Sequence, residues 1–76
     1  TGAELDLLVV RGRQRLGFEI KRTSAPALTR SMQSAMADLK LDALTVVHAG
    51  QHSFPMGRRV RAVAWHDLID EIRPLG

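Results

Sequence analysis

Residues 3–10, AELDLLVV, alternate polar and apolar side chains at first and then become continuously apolar, the period-two signature of a strand. Alternation sets Glu4 and Asp6 on one face and Leu5 and Leu7 on the other. Arg11-Gly12-Arg13-Gln14 breaks the pattern with a glycine able to take positive φ, and apolar residues resume at Leu16, so the two segments read as an antiparallel hairpin. In the second strand, residues 16–22, Phe18 and Ile20 share a face opposite Gly17, Glu19 and Lys21. Directing Phe18 and Ile20 to the core with Leu5 and Leu7 puts Asp6 on the face of Glu19 and Lys21.

After Lys21 the chain turns polar, and Pro26 keeps Ala25 out of a helix. Leu28, Met32, Ala35, Met36 and Leu39 then recur at helical spacing, with Arg30, Gln33, Ser34 and Asp38 opposite and Thr29 or Ser24 as the cap. Met32 and Met36 read as packing against a sheet. Residues 43–49, ALTVVHA, are β-branched and almost wholly apolar, as in a central strand covered on both faces and parallel to the second through a right-handed connection. Residues 50–57 read as a loop, residues 60–64 as a short strand, and residues 67–72 as a closing helix with Leu68, Ile69 and Ile72 inward, ended by Pro74. Trp65 reads as a packing anchor between strand and helix rather than a base-stacking platform. The expected fold is α/β, a mixed sheet with elements in the order β-β-α-β-β-α.

Composition narrows this little. Seventy-six residues allow one small domain, residues 1–76, with a core that buries only about 60% of the unfolded chain's surface, so self-association of the fragment is expected. A first residue other than Met, followed at once by strand-like sequence, reads as a fragment of a longer protein. No cysteine is present, which removes disulfides and thiolate metal sites and points to the cytoplasm. No apolar run approaches the roughly 20 residues of a membrane span. The net charge of +3 favours polyanionic partners.

The hairpin is where chemistry gathers. Hard divalent cations take one or two protein carboxylates and keep several waters, a need that Asp6 and Glu19 meet, with Lys21 beside them to offset negative charge. Glu4 is either a further ligand or a charge at the sheet's end. An acid facing Glu-x-Lys is equally the pattern of a cross-strand ion pair, and spacing by itself leaves both readings open. Arg11 and Arg13 on the hairpin, with Arg15 near them, and Arg58 and Arg59 before the last strand, with Arg61, either contact phosphates or are solvated surface. His48 and His52 straddle a strand end rather than one helix face, and His66 beside Asp67 reads as a local hydrogen bond.

The run Glu4-Leu5-Asp6, the glycine turn and Phe18-Glu19-Ile20-Lys21 resembles the acid-then-ExK signature of the PD-(D/E)XK, or restriction-endonuclease-like, superfamily. The whole chain resembles the C-terminal domain of unknown function attached to bacterial and archaeal AAA-type ATPases, in which an aromatic-Pro-x-Gly loop, here Phe54-Pro55-Met56-Gly57, precedes a final strand and helix. The resemblance implies a truncated restriction-endonuclease-like core whose opening helix lies outside the chain. It also implies Asp6 and Glu19 as ligands of Mg²⁺ or Mn²⁺ together with the Ile20 carbonyl, and Lys21 as the catalytic lysine. The implied function is phosphodiester hydrolysis in DNA or RNA at the end of an ATPase. The alternative is a non-catalytic nucleic-acid-binding or assembly module of that ATPase. ATP would bind only in the remainder of the parent, since no phosphate loop occurs here.

Overall fold

The computed structural model describes residues 5–72. Glu4, the helix-ending role of Pro74 and the inward orientation of Ile72 lie outside the described residues and side chains. Strand β1, Leu7–Arg11, turns through Gly12 at φ 61° into β2, Gln14–Ile20. Helix α1, Arg30–Asp38, leads to β3, Ala43–His48; β4, Phe54–Gly57, turns into β5, Val60–Ala64; a 3-10 turn, Trp65–Asp67, opens onto α2, Leu68–Ile72. The strands form one mixed sheet in the order β1-β2-β3-β5-β4, with β2, β3 and β5 parallel and the two outer strands antiparallel to their neighbours.

The expected hairpin, the helix and a central parallel β3 are all present, and β4 is an addition. The Gly50-to-Gly57 stretch, expected as a loop, carries this short edge strand. Its Pro55 lacks a donor, which an outermost strand tolerates, and the register shifts between Pro55 and Gly57.

Thr29, not Ser24, caps α1: its Oγ1 accepts from the Met32 N–H at 3.2 Å. At the other end Lys40 N–H donates to the Ala37 carbonyl and Leu41 N–H to the Met36 carbonyl, with Lys40 at φ 51°. That is a Schellman closure built on a lysine where glycine is usual. It returns Leu41 to the helix side, where Met32, Leu41, Leu44, Val46 and Val60 make the core and Leu5, Met36, Leu39 and Met56 pack around it.

This core corrects the face assigned to β2. The residues beside Leu44 and Val46 in register are Gly17 and Glu19, so Glu19 lies on the core face that α1 covers and Phe18 and Ile20 on the other. Phe18 is buried there, whereas Ile20 is 59% exposed and Leu7 55%. Size misled the pattern. The core side of β2 needs a small residue, because a Cβ on Gly17 would stand 2.6 Å from Leu41 Cδ1 and 3.0 Å from Leu5 Cδ1. Leu5 reaches that core because the chain bends at Asp6, just before β1 begins, and so leaves the alternation that would have paired it with Leu7. Two further expectations fail at the end of the chain: Trp65 is 64% exposed and Ile69 59%, so neither is an anchor.

Gly50 closes the turn after β3, where its N–H donates to His48 Nδ1 at 2.9 Å. A Cβ there would run into the Ser24 carbonyl oxygen and the His48 ring. Gly50→Ala is therefore expected to destabilise the fold by about 1–3 kcal/mol, visible in a thermal melt as a drop of roughly 4–8 °C per kcal/mol; an unchanged midpoint would show that the turn relaxes freely.

Candidate functional site

The parallel strands β2, β3 and β5 end together, and the carboxyl ends of parallel strands are where α/β sheets collect ligands. Glu19 and Lys21, His48, and Trp65 stand at these ends of β2, β3 and β5 respectively.

Glu19 is 7% exposed, and its Oε2 has no hydrogen-bond partner among the described residues. Its nearest charge is the Lys21 ammonium, 3.6 Å from that oxygen, an ion-pair distance too long for a good hydrogen bond. Lys21 itself is held although β2 has formally ended, because its N–H donates to the Val47 carbonyl at 2.8 Å. A buried carboxylate normally has its lone pairs satisfied. This one is aligned by the sheet and left open.

Asp6 is tied to the residues on either side of Glu19. Its N–H donates to the Phe18 carbonyl at 3.1 Å, and its Oδ2 accepts from the Ile20 N–H at 2.7 Å. The side chain thus supplies the ladder acceptor that the backbone gives up at the bend. The short distance fits a charge-assisted bond, and Oδ1 makes no hydrogen bond among the described residues. Asp6, Glu19, Ile20 and Lys21 are brought to one end of one hairpin.

The arginines are elsewhere. Arg11 and Arg13 flank Gly12, and Arg58 and Arg59 form the turn between β4 and β5, with Arg59 at φ 64°. Both turns lie at the amino ends of the parallel strands. Five residues separate Gln14 from Glu19, about 16 Å at roughly 3.3 Å per residue.

Two residues that sequence reasoning set aside as sites stand at the same end of the sheet. His48 is 2% exposed; because its Nδ1 accepts from the Gly50 N–H, the ring carries a proton on Nε2, and that atom is buried with no hydrogen-bond partner among the described residues. A protonated Nε2 suits a donor rather than a metal ligand. His52, by contrast, is exposed. Trp65, expected as a packing anchor, is the other: it is exposed and lines a groove together with Arg22. His66 and Asp67 do pair, Nδ1 to Oδ1 at 3.2 Å, while Asp67 Oδ2 accepts from Ser53 Oγ at 2.7 Å and Ser53 Oγ accepts from Ala64 N–H at 2.9 Å. This network ties the loop before β4 to the end of β5.

Among the described residues no three His, Cys, Asp or Glu side chains converge on one point, so a fully protein-enclosed metal cage is not built there. The donor set at Glu19 is instead all oxygen and sparse, which suits Mg²⁺ or Mn²⁺ and not zinc. No helix among the described residues is long and apolar enough to cross a membrane.

A family described as a domain of unknown function (DUF4143) matches residues 1–68. Uncharacterized proteins of Mycobacterium bovis and Mycobacterium tuberculosis are each 52% identical to this chain over 67 residues. The match covers 88% of the chain but 15% of either relative's length. No solved structure matches the chain.

Proposed function

The chain belongs to the DUF4143 family, and we propose that it is a metal-dependent nuclease domain of the PD-(D/E)XK kind, hydrolysing phosphodiester bonds in DNA or RNA. One observation carries this reading: the buried Glu19 Oε2, without a hydrogen-bond partner among the described residues, stands 3.6 Å from the Lys21 ammonium on the strand whose Ile20 N–H holds the Asp6 carboxylate. Stability is sacrificed there, and local breaches of that kind concentrate at functional sites.

Asp6 Oδ1, the Glu19 carboxylate and the Ile20 carbonyl are the oxygens that would hold Mg²⁺ or Mn²⁺. Such a cation, when bound, polarises a phosphoryl oxygen and acidifies water. The protein's own work is positioning. Asp6 is locked by the Ile20 N–H, Glu19 by burial in the sheet, and Lys21 stands at the partly open side, where its ammonium offsets negative charge developing on the phosphate and orients the attacking water. We assign the domain to the C-terminal part of an AAA-type ATPase, whose nucleotide would bind in another region. Arg11, Arg13, Arg58 and Arg59, at the far end of the strands, would contact flanking phosphates of a long substrate rather than the scissile one.

A second reading, a non-catalytic binding or assembly module of the same ATPase, is favoured by the exposed Leu7 and Val10 on the edge strand β1. A cleavage assay on single-stranded and structured DNA and RNA separates the two. Cleavage is expected with Mg²⁺ or Mn²⁺ and not with chelator, and Lys21→Ala is expected to slow it on the order of 100-fold. Wild-type rates for Lys21→Ala would remove the lysine from the mechanism, and the absence of metal-dependent cleavage on every substrate would leave the module.

A further inference from the structure

We propose that Trp65 is a stacking platform for an unpaired nucleobase, making a single-stranded or locally splayed strand the substrate of the site at Glu19. The inference rests on the nuclease reading for its substrate class, but its geometry is independent of the carboxylates.

Trp65 follows Ala64, which is fully buried, yet keeps 64% of its own surface in solvent. It does not stand alone. With Ile20 and Val47 it lines a groove of about 220 Å³ at the carboxyl ends of the strands, rimmed by Lys21 and Arg22. That volume is below the range of drug-sized ligand sites and suits a single flat ring. The lining joins an apolar floor to two cations and contains no carboxylate, so it complements a ligand that is aromatic in one part and anionic in the next. A nucleotide unit within a strand has that composition, and stacking on an exposed indole accepts any base. An apolar protein segment would use the floor and leave Arg22 at the rim without an anion.

Lys21 joins the two sites. It rims the groove and its ammonium is 3.6 Å from Glu19 Oε2; because the groove floor, Ile20 and Val47, is on the sheet face opposite Glu19, a strand stacked on Trp65 would reach the carboxylate around the end of β2, past Lys21. A base inside a duplex presents no free face to the indole, which is why the strand must be unpaired at this step.

Trp65 is the only tryptophan in the sequence, so its emission reports this position alone. The test is titration of a twelve-nucleotide oligothymidylate in chelator, where neither metal binding nor cleavage contributes, with Trp65→Phe and Trp65→Ala alongside. Quenching of the wild-type emission is expected. The two variants, which hold no tryptophan or tyrosine, are compared with wild type by the anisotropy of the same oligonucleotide carrying a fluorophore, with affinity on the order of tenfold weaker for Trp65→Ala, largely retained in Trp65→Phe, and much lower for a blunt duplex of equal length. Because Trp65 is exposed, neither variant should unfold the protein, and a thermal melt checks this. Absence of quenching, equal affinity of Trp65→Ala and wild type, or an emission already blue-shifted and shielded from acrylamide by other protein would each overturn the proposal. Stacking without metal-dependent cleavage would sustain the platform and remove the nuclease reading; cleavage by an enzyme whose Trp65→Ala variant binds strands unchanged would do the reverse.

Discussion

Asp6→Asn is expected to abolish Mn²⁺ binding while leaving the fold nearly as stable as wild type. The carboxylate has two separable jobs: Oδ2 accepts the Ile20 N–H at 2.7 Å, and Oδ1 is open to a cation. Asparagine retains a carbonyl acceptor for the first job and loses the charge needed for the second. The cost to stability should be about 1 kcal/mol, the difference between a charged and a neutral acceptor. Loss of metal affinity should exceed the roughly 10–100-fold that follows removal of an outer-shell partner. Asp6→Ala is the less informative change, since it also leaves the Ile20 N–H unpaired. Calorimetric titration of Mn²⁺ reads the outcome. Undiminished binding to a folded Asp6→Asn protein would remove Asp6 from the ligand set, and no binding to the folded wild type would end the metal reading.

Glu19→Met is expected to stabilise the fold and abolish cleavage together. Glu19 is buried on the core face with one oxygen lacking a hydrogen bond, and Lys21, whose side chain is 41% exposed, compensates it through solvent-screened attraction. Exchange of a buried ionic group for an apolar one of similar size is often stabilising by about 1–4 kcal/mol, and unbranched methionine adapts to the space. The freed lysine can rehydrate. For a chain of this length each kcal/mol moves the melting midpoint by about 4–8 °C. A midpoint below that of wild type would mean that the carboxylate is structurally satisfied, and would withdraw the observation on which the functional reading rests. A higher midpoint with retained cleavage would remove Glu19 from catalysis while leaving its burial as a cost without use.

The hairpin shows how far pattern carries. Alternation in residues 16–22 separated Phe18 from Glu19, and the register against β3 keeps them apart, because a strand's period is a local property of its backbone; Asp6, at the bend before β1, instead turns its carboxylate to the Ile20 N–H. Which face is the core is not local. β3 is apolar on both sides apart from Thr45 and its closing His48, and β5 carries Val63 as well as Arg61 opposite Val60, Ala62 and Ala64, so β2 had to be read from side-chain size, which favoured the face of Phe18. Close packing decided otherwise. Gly17 gives Leu41 and Leu5 room that a larger residue would deny, and Glu19 is buried as a result.

The existence of β1, β2, β3, β5 and the helices and the crossover from β2 to β3 were thus determined by the sequence itself, since each rests on periodicity and spacing along the chain, while Asp6, Glu19 and Lys21 were singled out by the family resemblance. The burial of Glu19, the second use of Asp6 as a ladder acceptor, the exposure of Trp65, and the separation of the arginine turns from the carboxylates by the length of the strands were decided only in three dimensions. All four depend on which residues distant in sequence come to share a face or an end of the sheet, and that is settled by packing against neighbours that no single segment specifies.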